Sequence, residues 1–306
     1  MFRYPDFDIR YYCFMSSIKQ NEILANYCTY RIGGPAKCLF LAADTDQIIA
    51  GLEAARENGF PFFVLGGGSN VLFPDSGFDG LVLKMENSFI KPDGGKTTAR
   101  FIVGAGTPLA MLANYARENA LTGMEWAAGI PGTVGGAIRG NAGAFHQDMG
   151  EIVAEVRVLE MAGGSIAKKV FTRSECKFSY RESVFKHSRN IVIVAAVIRL
   201  RQGRQEEIKA AMDEYLAKKS TTQPLEYPSA GSVFMNPPGF FAGKIIEDCG
   251  FKGKIVGAAQ VSEKHTNFIV NRGGATALDV KGLIAQIKSA AKEKFGVEMK
   301  EEIEII

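Results

Sequence analysis

The sequence of 306 residues has little of what marks an exported, membrane-spanning or nucleic-acid-binding protein. Its longest apolar run, residues 191–198, has eight residues, far short of the ~20 that a membrane-spanning helix needs. The N-terminal stretch carries charges and a proline where a signal peptide needs an apolar core. No run of Lys or Arg exceeds two residues, and the net charge is only +3. We therefore expect a cytoplasmic protein with neither a membrane nor a nucleic acid as partner.

Cysteine and histidine are also scarce. The five cysteines are odd in number and irregularly spaced without a C-x-x-C pair, so neither a disulfide framework nor a zinc site is indicated. The three histidines stand apart from one another, and we expect no bound metal. The nucleophile pattern G-x-S-x-G is missing as well, which argues against a Ser-His-Asp hydrolase.

Glycine, in contrast, is abundant, and it is concentrated in two segments. The first, LGGGSNVLF (65–73), fits neither G-x-G-x-x-G nor G-x-x-x-x-G-K-[ST]. The second is IPGTVGGA (130–137), followed by NAGA (141–144). Each segment offers backbone N–H groups and a small hydroxyl, which suits the oxygens of a pyrophosphate. Tight structural turns are the alternative for either segment alone. Together they favour a long dinucleotide held between two domains.

Strand and helix patterns alternate from about residue 21 onward, after an N-terminal extension without periodicity. A strand at 39–43 is followed by a helix that Asp44 or Thr45 caps and Gly59 closes. The next strand, 61–65, leads into the first glycine segment. The residues that follow do not form the phosphate-binding helix of a Rossmann unit, which counts against that fold.

A second block reaches to about residue 200, and a third extends to about residue 295. In the second block a helix is predicted with Thr107 as cap, Pro108 at its first position, and Met111, Leu112 and Tyr115 on one face. Its strands are predicted at 81–85, 99–106, 155–161 and 191–200. The third block has helical patterns at 205–219, 240–250 and 278–296, and the tail, 297–306, alternates like a half-buried strand.

Several polar residues stand in segments suited to chemistry. Arg181, in KFSYRESVFKH (177–187), carries a guanidinium that binds carboxylate or phosphate, although a surface salt bridge is the simpler alternative. Ser232, in AGSVFMNPPG (230–239), has no histidine nearby in sequence, yet a serine can donate a proton within a suitable network. Glu302 lies in the terminal strand between Glu301 and Glu304, and taken alone it is interpreted as a solvated charge. Lys264 and His265, in VSEKHTNFIVN (261–271), suit an anionic ligand or a loop entering a strand.

These segments, taken in order, resemble the UDP-N-acetylenolpyruvoylglucosamine reductases, also called UDP-N-acetylmuramate dehydrogenases. The similarity extends from about residue 22 to the end and is closer to the second type of the family, since no long insertion follows SYR. The most specific blocks are GIPGTVGGA and AQVSEKHTNFIVN. The further segments that carry the resemblance are NYCTYRIGGPA, LGGGSNVLF, FSYRESVFK, TTQPL, AGSVFMNPPG and GVEMKEEIEII.

The resemblance implies an α+β fold. It consists of a two-domain FAD-binding unit of the vanillyl-alcohol-oxidase (PCMH) type and a third, α/β substrate-binding domain. The implied boundaries place the extension at 1–20, the two FAD-binding subdomains at 21–80 and 81–203, and the substrate-binding domain at 204–296. The terminal strand, 297–306, would return to the FAD unit. We expect a monomer.

The resemblance also implies a reaction. NADPH reduces FAD, flavin N5 passes a hydride to the enolpyruvyl ether, and UDP-N-acetylmuramate is formed for peptidoglycan. Ser232 would donate the proton, with Arg181 and Glu302 completing the catalytic set. The implied substrate-binding residues are Tyr180, Gln223, Asn236, Lys264 and His265. The implied FAD-binding residues are Gly66, Gly67, Gly68, Ser69, Asn70, Val71, Ile130, Pro131, Gly132, Thr133, Gly135, Gly136, Asn141, Gly143 and Ala144.

Two departures from the family pattern fall near these positions. Met235 stands where a basic residue is usual, and Glu301 and Glu304 replace a proline and an arginine around Glu302. A register slip of one residue would invert the direction in which Glu302 faces. Another flavin oxidoreductase of the same fold and a non-catalytic nucleotide-binding protein are the alternative functions. We further expect a bulky residue at Gly67 or Gly68 to impair flavin binding before folding.

Overall fold

The structure, a computed structural model, describes residues 18–94 and 99–306. Most of the expected extension, 1–20, therefore lies outside the described residues. The chain divides into two units, each of which has its own core. The first is built mainly from Cys38–Gly67 and Gly80–Ala217, and the second from Gln20–Lys37, Gly68–Asp79 and Lys218–Ile306. The boundaries between functional domains given above stay predictions.

The described residues form short strands and helices in alternation. The strands are β1 (Lys19–Ile23), β2 (Pro35–Ala42), β3 (Phe62–Leu65), β4 (Val71–Leu72), β5 (Phe78–Met85), β6 (Ile90–Pro92), β7 (Arg100–Gly104), β8 (Leu121–Thr122), β9 (Gly143–Ala144), β10 (Gln147–Asp148), β11 (Val153–Ala162), β12 (Ser165–Thr172), β13 (Ile191–Arg199), β14 (Arg201–Gln202), β15 (Ile255–Val256), β16 (Ala259–Val261), β17 (Ile269–Asn271) and β18 (Glu304–Ile305). The α-helices are α1 (Thr45–Glu57), α2 (Leu109–Glu118), α3 (Val134–Arg139), α4 (Met149–Ile152), α5 (Gln205–Thr222), α6 (Ala242–Asp248) and α7 (Ala277–Phe295), and 3-10 helices span Leu24–Tyr27 and Glu125–Ala127.

In the first unit, β2, β5 and β3 lie side by side in that order, and β3 pairs with β5 in parallel. Helix α1 connects β2 to β3 and buries Ile48 and Leu52. The Asp44 carboxylate accepts a hydrogen bond of 2.8 Å from Gln47 N, so Asp44 is the cap, and Gly59 at φ +64° follows the last turn. The predicted strand–helix–strand order is therefore confirmed, and it delivers the first glycine segment at the end of β3.

A second sheet of the first unit has the order β12-β11-β13-β7-β6, and its neighbours pair antiparallel. Strand β13 is central and almost continuously buried, which explains its long apolar run. The sequence patterns missed the edge strands β6 and β12. Both are largely exposed, so their apolar residues do not form the buried pattern that marks the inner strands.

Helix α2 begins one residue later than predicted. Pro108, at φ −58° and ψ 137°, is the N-cap, and no side chain caps the helix. The Thr107 hydroxyl is instead engaged with Phe89, accepting from its N at 3.1 Å and donating to its carbonyl at 3.2 Å. The predicted face was partly wrong as well, because Leu112 is fully buried whereas Met111 is 50% exposed.

The second unit packs α7 with the small antiparallel sheet β15-β16-β17. The stripe predicted on α7 is buried and consists of Val280, Leu283, Ile284 and Ile287. The helix begins with a capping box of Thr276 and Asp279, and Asp75 accepts further bonds from Ala277 N and Leu278 N at 2.8 and 3.2 Å. Only Glu304–Ile305 of the tail form a strand, β18, which pairs in parallel with β4. No helix in the described part of the chain combines the length and apolar composition needed to cross a bilayer.

Candidate active site

The two glycine-rich segments meet in the first unit. A Cβ placed on Gly67 would lie 2.6 Å from the Cα atom of Gly132, and one on Gly66 would lie 2.5 Å from Thr133 Oγ1. Backbones can approach this closely only where side chains are absent. Gly67 and Gly132 are 65 residues apart in the sequence, yet their backbones are in contact. This is what the pyrophosphate interpretation requires, because both segments must reach the same ligand.

The second segment uses several of its N–H groups inside the protein. Helix α3 begins at Val134, whose N–H donates to Thr107 O at 2.9 Å, and Gly135 N donates to Ala105 O at 2.8 Å. Thr133 caps the helix by accepting from Gly136 N. A Cβ on Gly135 would lie 2.9 Å from Ala105 Cβ. Gly135 therefore permits close packing of α3 against Ala105.

The first segment continues into the second unit from Gly68 to Val71. Gly68 has φ +63°, and a Cβ there would lie 2.1 Å from Tyr27 O. Gly67 and Gly68 are thus both enclosed by protein backbone. The expectation that a bulky residue at either position impairs flavin binding before folding is wrong for this reason, since the side chain would collide with the protein itself.

Asn70 connects the first segment to the chain terminus. Its Nδ2 donates to Glu302 O at 3.0 Å, and its carbonyl accepts from Glu304 N at 2.9 Å. These bonds extend the parallel pair of β4 and β18. The segment predicted to bind the cofactor therefore also fixes the backbone at Glu302.

Asn141 organises the loop that follows α3. Its side chain is buried and bonded on both ends: Nδ2 donates to Asp148 Oδ2 at 3.0 Å and to Ser179 O at 2.8 Å, while Oδ1 accepts from Gly150 N at 2.9 Å. The side-chain polar atoms of Asn141 are therefore occupied by protein partners. They tie the 141–150 loop to the segment that carries Arg181.

Arg181 lies in a tight turn in which Ser179 and Glu182 form an isolated β-bridge. Its φ of +56° is unusual for a residue with a side chain, and such backbone strain is found preferentially at functional sites. Arg181 Nη1 donates to Gly143 O at 3.0 Å, and Lys186 Nζ donates to Arg181 O at 2.8 Å. The guanidinium carbon lies 5.6 Å from the centre of the Tyr180 ring, which is 55% exposed. The guanidinium is thus held at Nη1 by a backbone carbonyl.

Ser232 and Glu302 come together in the second unit. Ser232 forms an isolated antiparallel β-bridge with Phe268. The next residue, Val233, accepts a hydrogen bond of 2.8 Å from Glu302 N through its carbonyl. Glu301 pairs with Phe234, and its carboxylate binds Lys288 Nζ of α7 at 2.7 Å. The Glu301 carboxylate is thus bound to helix α7.

Asn267 fixes the segment that carries Ser232, and sequence reasoning missed this role. It is 5% exposed. Its Oδ1 accepts from Phe234 N at 3.0 Å, its Nδ2 donates to Phe234 O at 2.8 Å, and its carbonyl accepts from Val233 N at 2.8 Å. The available signal was an asparagine between the buried ends of β16 and β17, where a side-chain amide must find partners.

The other expected substrate residues also belong to the second unit, apart from Tyr180. Lys264 Nζ donates to Ser220 O at 2.6 Å, and Asn236 Oδ1 accepts from Ala242 N at 2.9 Å at the start of α6. Gln223 directly follows α5, with its N–H bonded to Lys219 O at 2.9 Å. Burial lowers the pKa of the Lys219 ammonium to about 8. The His265 ring packs edge-to-face on Phe268 at 4.8 Å, and burial lowers the pKa of its imidazole.

The potential metal ligands within residues 18–94 and 99–306 are dispersed. No group of three or more His, Cys, Asp or Glu side chains there is arranged to hold a metal ion. Of the four cysteines described, Cys28, Cys38 and Cys176 are buried and Cys249 is half-buried. The close approach of Gly67 to Gly132, with the Thr133 hydroxyl beside Gly66, is instead compatible with the diphosphate of a dinucleotide.

Comparison with known proteins defines the class. A family model described as "FAD binding domain" matches residues 36–168, and one described as "UDP-N-acetylenolpyruvoylglucosamine reductase, C-terminal domain" matches residues 223–306. The first match contains both glycine-rich segments, and the second contains Ser232 and Glu302. The fold and site therefore define an FAD-dependent oxidoreductase.

Full-length similarity identifies the family. The UDP-N-acetylenolpyruvoylglucosamine reductase of Caldanaerobacter subterraneus subsp. tengcongensis is 43% identical over 287 residues, which cover 94% of this chain and 92% of that protein. The reductase of Clostridium novyi is 39% identical over 290 residues, which cover 94% of this chain and 92% of that protein. The crystal structure of the reductase from Thermus caldophilus superposes with a TM-score of 0.79 at 34% identity, covering 94% of this chain and 99% of the other. The chain belongs to the UDP-N-acetylenolpyruvoylglucosamine reductase family, which confirms the expected fold class and cofactor, FAD.

Proposed function

We propose that this protein reduces the enolpyruvyl group of UDP-N-acetylenolpyruvoylglucosamine to give UDP-N-acetylmuramate, with NADPH as reductant, in the synthesis of peptidoglycan precursors. The observation that carries the proposal is the convergence of Ser232 and Glu302 on adjacent extended segments, held by Asn267 and Asn70. A hydroxyl and a carboxylate on neighbouring backbone segments would suit the addition of a proton and a hydride across a double bond.

The FAD would be held by the two glycine-rich segments, 66–71 and 130–136, with the 141–144 loop beside the second. When bound, FAD supplies the hydride that the reduction requires. The contact between Gly67 and Gly132 supports this assignment, because it brings both segments to one place. Among these residues, Thr133 and Gly135 shape the loop through α3, and Asn141 holds it against Ser179.

Ser232 is proposed to protonate the substrate carbon next to the one that receives the hydride. A serine hydroxyl is a weak acid, so the transfer must be coupled to charge developing on the substrate. The backbone on both sides of Ser232 is fixed by Phe268 and by the Asn267 bonds to Val233 and Phe234. These bonds would hold the backbone of Ser232 in one position relative to the substrate.

Arg181 is proposed to stabilise the negative charge that spreads into the substrate carboxylate during the reaction. A fixed cation of this kind is worth roughly 3 kcal/mol or more in a preorganised site. Its bond to Gly143 O would direct the guanidinium. Glu302 would complete the set by orienting the substrate or a water. Tyr180, Gln223, Asn236, Lys264 and His265 are proposed to contact the UDP moiety or the nicotinamide.

Steady-state turnover tests the proposal. Purified protein loaded with FAD should oxidise NADPH only when UDP-N-acetylenolpyruvoylglucosamine is present, and mass spectrometry should find a product heavier by two hydrogens. UDP-N-acetylglucosamine, which lacks the enolpyruvyl group, is the matched control and should give no turnover. NADPH oxidation that does not depend on the enolpyruvyl substrate would contradict the proposal.

A further inference from the structure

The hairpin that carries Gly143 is closed by an unusual turn. Strands β9 and β10 are joined by two residues only, Phe145 and His146, whose φ values are +52° and +64°. Two-residue hairpin turns with positive φ at both positions normally use asparagine, aspartate or glycine, because other side chains are strained there. Strain of this kind persists only where surrounding contacts hold the backbone in place.

The contact that holds this turn comes from a distant helix. The Phe145 ring stacks on the ring of Tyr215 of α5, with centroids 4.0 Å apart and planes inclined by 10°. Both rings are partly buried against the core of the first unit. Tyr215 is 70 residues away in the sequence and lies outside every motif that suggested function. A near-parallel pair of rings fixes both the position and the tilt of the Phe145 side chain.

The β9–β10 hairpin is hydrogen-bonded to the tight turn that contains Arg181. At its base, Gly143 O accepts from Arg181 Nη1 at 3.0 Å. The opposite residue, Asp148, accepts from Asn141 Nδ2, which also donates to Ser179 O at 2.8 Å. Gly143 itself cannot be replaced easily, because a Cβ there would lie 2.3 Å from Gln147 O. A displacement of the turn would therefore move the carbonyl that directs the guanidinium.

We propose that Tyr215 is a positioning residue for Arg181, acting through the Phe145 ring and the β9–β10 hairpin. The inference rests on the proposed function, since it assigns Tyr215 to the catalytic role proposed for Arg181. Tyr215 acts by orienting the guanidinium toward the charge that develops in the transition state. Its removal should therefore lower kcat more than it raises KM.

The test compares Tyr215→Ala, Tyr215→Phe and a matched control in the FAD-loaded enzyme. Tyr215→Ala should lower kcat by roughly tenfold, as expected for a catalytic group displaced by a fraction of an ångström. Tyr215→Phe keeps the stacked ring and should restore wild-type kcat. The control is Tyr115→Ala, which removes a ring packed edge-to-face on Phe101 at 5.3 Å in the same unit. It should lower the melting temperature and leave kcat of the folded, flavin-loaded enzyme unchanged.

A double-mutant cycle separates this inference from the proposed function. If Tyr215 acts through Arg181, Tyr215→Ala should lower kcat in the wild-type background and have little further effect in Arg181→Ala. An equal loss in both backgrounds, or an unchanged kcat in Tyr215→Ala, would overturn the positioning role while the reductase proposal stands. If Arg181→Ala itself retains full kcat, the role proposed for Arg181 fails, and the positioning role fails with it.

Discussion

Asn267 and Phe234 exchange two hydrogen bonds, with Oδ1 accepting from the Phe234 N–H at 3.0 Å and Nδ2 donating to the Phe234 carbonyl at 2.8 Å. The Asn267 amide makes the two hydrogen bonds with the Phe234 backbone that a neighbouring β-strand would otherwise make. Because Ser232 lies two residues before Phe234, this pair sets the position of the proposed proton donor. Asn267 therefore connects the packing of the second unit to its chemistry.

Replacing Asn267 should affect both stability and turnover. Asn267→Ala leaves two buried backbone groups unsatisfied, so the free energy of unfolding should fall by about 3 kcal/mol. Because Ser232 is no longer held, kcat should fall roughly 10- to 100-fold in the enzyme that remains folded. Chemical denaturation and steady-state kinetics measure the two effects.

Asn87 provides a matched control for this variant. It is equally buried, donates to Val194 O at 2.7 Å and accepts from Gly106 N at 2.9 Å, in the first unit. Asn87→Ala should destabilise by a similar amount and keep the wild-type kcat. If the two variants show the same kcat after correction for the folded fraction, Asn267 has no positioning role.

A Cβ at Gly67 should impair folding and flavin binding together. Gly67→Ala places a methyl group 2.6 Å from the Gly132 Cα atom. The nearest atoms are all backbone atoms, so the clash can be relieved only by a shift of the main chain. The melting temperature should drop, and flavin content should drop with it. Gly140→Ala is the control, since its Cβ would have ordinary contact at 3.8 Å from Gly136 O. A Gly67→Ala protein with wild-type melting temperature that binds no FAD would show that the contact is looser than described.

Tyr30→Phe should stabilise the protein. The Tyr30 side chain is fully buried in the core of the second unit, and its hydroxyl has no hydrogen-bond partner among the described residues. Burial also raises the pKa of this phenol. Removing an unsatisfied buried hydroxyl should increase the free energy of unfolding by about 1 kcal/mol.

The control for Tyr30 is Tyr27→Phe, which removes a hydroxyl that donates to Glu22 Oε2 at 3.3 Å. This variant should be neutral or slightly less stable. Denaturant titrations of both variants measure the difference. A loss of stability in Tyr30→Phe larger than that in Tyr27→Phe would mean that the Tyr30 hydroxyl has a partner.

His265 should make stability depend on pH in the acid range. Burial lowers the pKa of its imidazole below the 6.5 of an unfolded histidine. The unfolded state therefore binds more protons at intermediate pH, so the contribution is fully present above about pH 6.5 and is lost as pH falls through the folded pKa. The melting temperature should decline below pH 6.5, and His265→Gln should decline less steeply. Parallel curves for the two proteins would contradict this assignment.

The fold was largely predictable where one periodicity dominates. The stripe from Val280 to Ile287 defined α7, and the apolar run 191–198 defined β13, because each is buried on the face that its pattern requires. The edge strands β6 and β12 gave no such signal, since their side chains are mostly exposed. The start of α2 was misplaced because Thr107 resembles a helix cap, yet its hydroxyl is engaged by Phe89, 18 residues earlier.

Those parts of the site that have a characteristic local composition could be predicted from the sequence. Two glycine-rich segments indicated a dinucleotide, and the structure places Gly67 against Gly132. The supporting contacts of Asn267 with Phe234 and of Tyr215 with Phe145 join residues 33 and 70 positions apart. Neither contact could be predicted from the local sequence. An isolated asparagine or tyrosine has the same sequence context whether or not it positions a functional segment.

The most direct test of the account is the reoxidation of reduced flavin by substrate under anaerobic conditions, followed by the visible absorbance of the flavin. In the NADPH-reduced wild-type protein, UDP-N-acetylenolpyruvoylglucosamine should restore the oxidised spectrum within one turnover, whereas UDP-N-acetylglucosamine should not. Ser232→Ala should bind FAD normally and reoxidise about 10²- to 10⁴-fold more slowly, since the proton donor is missing. A wild-type protein whose reduced flavin is not reoxidised by the enolpyruvyl substrate would contradict the proposed function. Ser232→Ala reoxidising at the wild-type rate would contradict the role of Ser232.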